Sequence, residues 1–285
     1  MGFVGAGHAQ ETSSLKATHR GHGPLLPHDD PNMIGDELQH PALLIDIGNT
    51  RVKWGLGQSG LVLPGQPFAT HTLNQTDPPA DCWQDLPSPS HVIVANVAGA
   101  DIAESLKRLT KRRWNVTPRL VCAEAEAFGV RNAYRYPEKL GVDRWVALIA
   151  ARHAGFGPVC VADCGSAVTV DALDAEGIHL GGVIAPGLAM MRRSLVAGTS
   201  DLPFADESFT DSLARETTAA IASGTCQAIA GLIERCFRQT ASRLGTEPRL
   251  LLTGGDALAI DPWLELPVEI RPDLVLEGLL VIADS

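Results

Sequence analysis

The sequence predicts an α/β protein built from two duplicated domains with a phosphate-holding cleft between them. Three features carry this reading. First, Leu44-Ile45-Asp46-Ile47-Gly48-Asn49-Thr50-Arg51-Val52 and Val161-Ala162-Asp163-Cys164-Gly165-Ser166-Ala167-Val168-Thr169 follow one pattern: an apolar strand, Asp-x-Gly, a small polar residue, then alternating apolar residues. Each reads as a hairpin whose glycine admits positive φ and lets a ligand approach the backbone. The Asp at the strand end can hold a hydrated cation, while Asn49, Thr50 or Ser166 offers hydroxyl, amide or backbone N–H groups to phosphate oxygens. Second, the apolar run Leu250-Leu251-Leu252 closes in Thr253-Gly254-Gly255-Asp256, which removes side chains where a bulky ligand must lie against backbone. Third, the order of strand, hairpin and strand–helix alternation occurs twice. The chain holds no Gly-x-x-x-x-Gly-Lys-[Ser/Thr] loop.

Residues 42–47 are the first strand and 51–56 its hairpin partner. Residues 58–90 are Pro-rich and polar, with one strand expected near 68–73. Residues 91–97 read as a buried strand and 101–113 as a helix with Ile102, Leu106 and Leu109 on one face. A short strand follows at 119–122. Residues 129–144 read as a loop dense in polar and aromatic side chains, and 145–153 as a buried Ala-rich helix anchored by Trp145. The second half repeats the scheme: a hairpin at 159–164 and 168–173, a strand and turn over 181–187, helices at 188–196 and 217–244, a strand at 249–253 and a last helix at 273–283. Domain boundaries at 41–150 and 151–285 follow. Residues 1–40 hold five of the nine histidines and no hydrophobic period, so a disordered extension is expected there. A chain starting at Met33 is expected to keep its stability and activity.

Composition narrows the function. The 285 residues are 45% hydrophobic and 20% charged, with net charge −10, which offers no nucleic-acid surface. The cluster Lys107-Arg108-Leu109-Thr110-Lys111-Arg112-Arg113 reads as the polar face and last turn of a helix, where cations complement the dipole. No apolar run approaches the ~20 residues of a membrane span, and no signal peptide is visible. Six cysteines form no C-x-x-C pair, which fits reduced thiols in a cytoplasmic protein. Met190-Met191 reads as core or dimer packing, and His153 and His179 read as structural.

The segment between the hairpins bears on the acceptor. Within Gly129 to Trp145, a Gly141-x-Asp143-Arg144 turn leads into a helix and packs a carboxylate and a guanidinium together. Alone it would read as a local ion pair at a helix start. Between two phosphate hairpins it reads as an acceptor site, with Asp143 taking a hydroxyl proton and Arg144 gripping an anionic group with its planar fork.

Seven motifs in order resemble one family, the type III pantothenate kinases, of the actin-like (ribonuclease H-like) ATPase superfamily. They are Asp46-x-Gly-Asn-Thr50, Tyr134-x-x-Pro137-x-x-Leu140-Gly-x-Asp-Arg144, Asp163-x-Gly-Ser-Ala-x-Thr169, Gly181-Gly-x-Ile-x-Pro-Gly187, Leu195-x-x-x-Thr199-x-x-Leu-Pro203, Thr217-x-x-Ala-Ile-x-Ser-Gly224 and Thr253-Gly-Gly-Asp256. The resemblance implies ATP-dependent phosphorylation of pantothenate to 4′-phosphopantothenate, the first step of coenzyme A synthesis. It implies Asp143 as general base and Asp46, Ile47, Gly48, Asn49, Thr50, Arg51, Val52, Lys53 and Ser166 at ATP. It places Tyr134, Gly141, Val142, Asp143, Arg144 and Thr217 at pantothenate. Asp46 would serve magnesium–ATP, and Asp163 a monovalent cation, potassium or ammonium. A homodimer is implied as well. The rival is a regulatory protein of the same fold that binds nucleotide without turnover; the presence of Asp46, Asp143, Arg144 and Asp163 argues against it.

Overall fold

Leu43, Ile45 and Ile47 face one side of the first strand and Leu44 the other, and all four are fully buried. A strand with two apolar faces needs cover on both. The computed structural model of the protein supplies it. The structure describes residues 40–74, 80–205 and 213–285. The expectation for residues 1–40 therefore lies outside the described residues, His40 apart.

The first half contains β1 (Ala42–Ile47), β2 (Arg51–Gln58), β3 (Leu61–Pro64), β4 (Phe68–Ala69), a short helix α1 (Ala80–Trp83), β5 (His91–Asn96), α2 (Ala100–Trp114), β6 (Arg119–Leu120), the two-residue strands β7 (Glu126–Ala127) and β8 (Val130–Arg131), and α3 (Val142–His153). The second contains β9 (Val159–Cys164), β10 (Ala167–Leu173), β11 (His179–Pro186), α4 (Leu188–Gly198), α5 (Thr217–Leu244), β12 (Arg249–Thr253), α6 (Ala257–Ile260), β13 (Glu269–Ile270) and α7 (Leu274–Ala283).

The duplication is visible in the sheets. One runs β3-β2-β1-β5-β6 and the other β11-β10-β9-β12-β13. In each, the first strand in chain order pairs antiparallel with the second and parallel with the fourth in line. Both sheets thus repeat one strand order and one set of directions, the actin-like arrangement expected. Helices cover the sheets on both faces. Ile102, Leu106 and Leu109 of α2 cover the outer face of the first sheet. Ile229, Ile233 and Phe237 of α5 cover the outer face of the second. Between the sheets lie α3 and α7, packed against Leu44 and Ile93 on one side and Val161 and Leu251 on the other. The last helix therefore returns to the first half of the chain. Gly278 permits that contact, because a Cβ there would strike the Val146 carbonyl of α3.

Helix 217–244 and strand 249–253 lie where the sequence pattern puts them. Three segments differ. The strand expected near 68–73 is only two residues long and passes into a 3-10 turn, Thr70–Asn74. The expected strand 119–122 shrinks to β6, although Val121 N–H still donates to the Val94 carbonyl at 2.8 Å. The expected loop 129–144 holds β8, a 3-10 turn and the start of α3, which begins at Val142 rather than Trp145. Among the described residues no helix is long and apolar enough to cross a membrane. The basic run closes α2, with Lys111, Arg112 and Arg113 in its last turn. All six cysteines are free thiols, three of them buried.

Candidate active site

The two Asp-x-Gly turns meet. In the first, Gly48 N–H donates to the Arg51 carbonyl at 3.0 Å; in the second, Gly165 N–H donates to the Ala167 carbonyl at 3.1 Å. Thr50 Oγ1 and Ser166 Oγ lie 2.8 Å apart, so one hydroxyl from each hairpin faces the same space. The third motif closes over the second hairpin. Asp256 N–H donates to the Cys164 carbonyl at 2.9 Å. Gly254, at φ 94°, has no room for a side chain, since a Cβ would strike that carbonyl. Arg51 of the first hairpin reaches toward Gly255 and acts on the Asp256 carboxylate, whose pKa is raised by burial and pulled down by Arg192 and Arg51.

Three carboxylates converge. Asp46 stands near the end of β1, its Cα opposite that of Lys53. Burial, then the charges of Asp143 and Asp163, push its pKa up to about 7, against the pull of Lys53. Burial and Asp143 push Asp163 up to about 6, again opposed by Lys53. Asp143 is raised mainly by burial. One lysine does not neutralise three facing carboxylates, so the cluster favours an added cation. Among the described residues no three His, Cys, Asp or Glu side chains form a ready-made metal cage. The donor set therefore fits an ion that keeps waters and takes further oxygens from a phosphate ligand, as magnesium does.

This cluster has a consequence for stability. A carboxyl whose folded-state pKa lies above its unfolded value binds protons preferentially in the folded state. Its stabilising contribution is present at low pH and is lost as pH rises from about 4 through the folded pKa near 7. Asp46→Asn removes one such group while keeping its shape. Without nucleotide, the variant is expected to melt roughly 2–4 °C above the unaltered protein at pH 8, equivalent to about 1 kcal/mol, with the gap closing toward pH 4. Scanning calorimetry of the two proteins checks this; equal melting temperatures at pH 8 would remove the strain assigned to Asp46.

Asp143 and Arg144 occupy the first turn of α3, next to Gly141 and Val142, which explains how they stay ordered. Asp143 Oδ1 accepts the Arg144 backbone N–H at 2.8 Å, and a carboxylate at a helix N-terminus is favoured by the dipole. Arg144 is buried. Its Nε and Nη2 donate to Asp171 Oδ2 and Oδ1 at 2.7 and 2.6 Å, and its Nη1 donates to Tyr134 Oη at 2.8 Å. The fork expected to grip a substrate anion is thus already held by Asp171, a residue that no sequence motif singles out. His179, which has no partner at a useful sequence spacing, shares that carboxylate: its Nε2 lies 2.9 Å from Asp171 Oδ1.

The other expected site residues divide clearly. Gly48, Asn49, Thr50, Arg51, Lys53 and Ser166 surround the facing turns. The side chains of Ile47 and Val52 are fully buried in the outer core, so only their backbone is available to a ligand. Val142 packs partly against the central core. Thr217 is exposed at the start of α5 and, among the described residues, makes no hydrogen bond or ion pair with the other site residues. Sequence motifs miss Thr70: its Oγ1 donates to the Gly48 carbonyl at 2.7 Å and its N–H to the Thr50 carbonyl at 3.1 Å, bracing the first turn from behind. Gly181 and Gly182, expected in a strand and turn over 181–187, lie inside β11. A Cβ on Gly182 would run into Asp171 Oδ1 and stand 2.5 Å from Arg144 Nη2. Gly182→Ala is therefore expected to cost about 2 kcal/mol of unfolding free energy, because neither buried partner can move aside. Urea unfolding reads it; an unchanged midpoint would show that the ion pair tolerates a methyl group.

The sequence pattern of type III pantothenate kinases matches residues 42–239. The chain is 43% identical to the type III pantothenate kinase of Aromatoleum aromaticum, covering 85% of this chain and 97% of that one. It is 38% identical to the corresponding enzyme of Nitrosococcus oceani, over 85% and 93% of the two chains. Among solved structures, a Baf family transcriptional activator from Campylobacter jejuni superimposes with a TM-score of 0.53 at 22% identity, over 85% of this chain and 98% of that one, a likeness of fold. Duplicated sheets, facing Asp-x-Gly turns and a match over more than half the chain agree, and the chain belongs to the type III pantothenate kinase family.

Proposed function

We propose that this protein transfers the terminal phosphoryl group of ATP to the hydroxyl of pantothenate, giving 4′-phosphopantothenate and ADP. One observation carries the reading most directly: Thr50 Oγ1 and Ser166 Oγ, one hydroxyl from each hairpin, stand 2.8 Å apart, and Asp143 at the start of α3 lies close enough to raise the pKa of the carboxylates near the end of each hairpin's first strand. A proton acceptor and a phosphate site thus share one space. In the step, the pantothenate oxygen bonds to the terminal phosphorus as the bond from that phosphorus to the bridging oxygen breaks. Asp143 orients the hydroxyl and takes its proton late, as a loose phosphoryl-transfer transition state allows. Lys53, Asn49, Thr50 and Ser166 bind phosphate oxygens. Asp46 would hold magnesium together with the nucleotide, and that ion supplies neutralisation of phosphate charge. Asp163 would hold a monovalent cation.

Tyr134, Gly141, Val142 and Arg144 form the acceptor side. Two domains, 41–150 and 151–285, flank the nucleotide. A homodimer is supported by the apolar side chains left on β11 and α4: Ile184 is 64% exposed, and Val183, Met190 and Val196 are exposed as well. Thr217, apart from its own chain's site, would then reach a second copy's. A cytoplasmic location accords with reduced cysteines.

Coupled ADP release tests the reading. Turnover should require pantothenate and magnesium, and it should be stimulated when potassium or ammonium replaces sodium. No pantothenate-dependent ADP release would overturn the function. Equal rates in sodium-only and potassium buffers would overturn the role of Asp163 alone.

A further inference from the structure

A buried cluster behind Asp143 is not used by the transfer itself. It joins Arg144 of α3, Asp171 of β10, His179 of β11 and Tyr134. Asp171 is 3% exposed, His179 1% and Arg144 6%. A guanidinium carries five N–H donors. Three are committed, two to Asp171 and one to Tyr134, which leaves one on each terminal nitrogen. The Arg144 guanidinium carbon also stands 5.7 Å from the centre of the Tyr134 ring, and that ring stacks on His179 with centroids 6.0 Å apart and planes 15° apart.

The backbone is shaped to allow this. Residues two apart on a strand share a face, so Asp171 and Leu173 point the same way. Gly182 pairs with Asp171 and Gly181 with Ala172, yet His179, not Leu180, pairs with Leu173. The extra residue is a β-bulge, with Gly181 at φ 107°. In uninterrupted register His179 would fall on the opposite face. The bulge turns it toward Asp171, and Gly182 clears the space above the ion pair. His179 Nδ1 is buried without a partner. A carboxylate only accepts, so in the contact with Asp171 it is His179 Nε2 that donates.

We propose that Asp171 and His179 are positioning residues for the acceptor substrate. They fix the Arg144 guanidinium and the Tyr134 ring in one orientation, so that the two free N–H groups of Arg144 meet the carboxylate of pantothenate without reorganisation. Neither residue touches the reacting atoms. The inference rests on the pantothenate kinase reading and names how that site recognises its acceptor.

Steady-state kinetics of the full chain, with pantothenate and ATP varied separately, tests it. His179→Phe keeps the bulk and the stacking but loses the donor; His179→Gln keeps a donor at the reach of Nε2. H179F is expected to raise the pantothenate KM about tenfold or more, with the ATP KM and kcat changed less than about twofold. H179Q should restore the pantothenate KM to within about threefold of the unaltered value. A purely structural role would not give this split. KM values rising together, kcat falling alone, or H179Q behaving like H179F would overturn the inference while leaving the function standing. Should H179F not fold, His179→Met removes the donor on a flexible chain and must give the same split; if both fail to fold, His179 is a folding element and the proposal is wrong. If the unaltered protein releases no ADP with pantothenate, the function falls, and this inference with it.

Discussion

Asp143→Asn is expected to lower kcat by about 10²-fold or more while leaving the protein folded. Asp143 Oδ1 is already engaged, accepting the Arg144 backbone N–H at 2.8 Å within the first turn of α3. Its place is further fixed by Gly141, where a Cβ would stand 2.7 Å from that same oxygen. The second oxygen is the one left for a substrate hydroxyl. In Asn the carbonyl oxygen can keep the helix bond, and the amide then presents N–H donors where an acceptor is required. Packing and capping survive, and proton acceptance does not. Burial raises the pKa of this carboxyl above its ordinary value, which makes it a better base than a solvent-exposed Asp. The same shift predicts that activity falls as pH drops, earlier than an ordinary Asp would dictate. ADP release with saturating ATP and pantothenate, together with a melting curve, checks the prediction. Near-normal turnover in a folded Asp143→Asn protein would remove Asp143 as the base.

The parts of this site written as local pattern are legible in the amino-acid sequence itself. Asp46, Asp163 and Asp256 sit at the ends of apolar strands, and a strand followed by Asp-x-Gly or Gly-Gly-Asp announces itself within a short window. Helix 217–244 and strand 249–253 carry clear hydrophobic patterns and are legible to the residue. What escapes depends on pairing across the fold. Asp171 lies 27 residues from Arg144, inside an apolar strand where one carboxylate looks like an interruption. His179 reaches it only through a bulge, and a bulge leaves no mark in hydrophobic alternation. Thr70 braces the Gly48 carbonyl from 22 residues away. Hydrophobic periodicity puts the start of α3 at Trp145, too late, because its first turn, Val142-Asp143-Arg144, is shaped by the site rather than by the core. Two-residue strands such as β7 and β13 bury too little to leave a pattern.

Asp46→Ala is expected to remove nearly all activity, roughly 10³-fold, with the loss tied to magnesium–ATP. Asp46 is the carboxylate most strongly opposed by its surroundings: burial, Asp143 and Asp163 together push its pKa to about 7. A protein that keeps such a residue tolerates instability at a working site. Losing it should therefore have two opposite effects. Turnover should collapse and fail to recover with added magnesium, while the ligand-free protein at pH 8 should melt no lower than the unaltered chain, since mutual repulsion among the carboxylates is relieved. The neighbouring carboxylate separates the roles. Asp163→Ala should retain magnesium–ATP use and lose the response to potassium or ammonium, because its carboxyl belongs to the second hairpin, where Gly254 leaves room beside it that a side chain would fill. Nucleotide titration by calorimetry with and without magnesium distinguishes them: magnesium should strengthen ATP binding to the Asp163 variant and not to the Asp46 variant. If magnesium tightens ATP binding equally in both, the cation belongs to neither hairpin in particular and the division of labour between Asp46 and Asp163 is wrong.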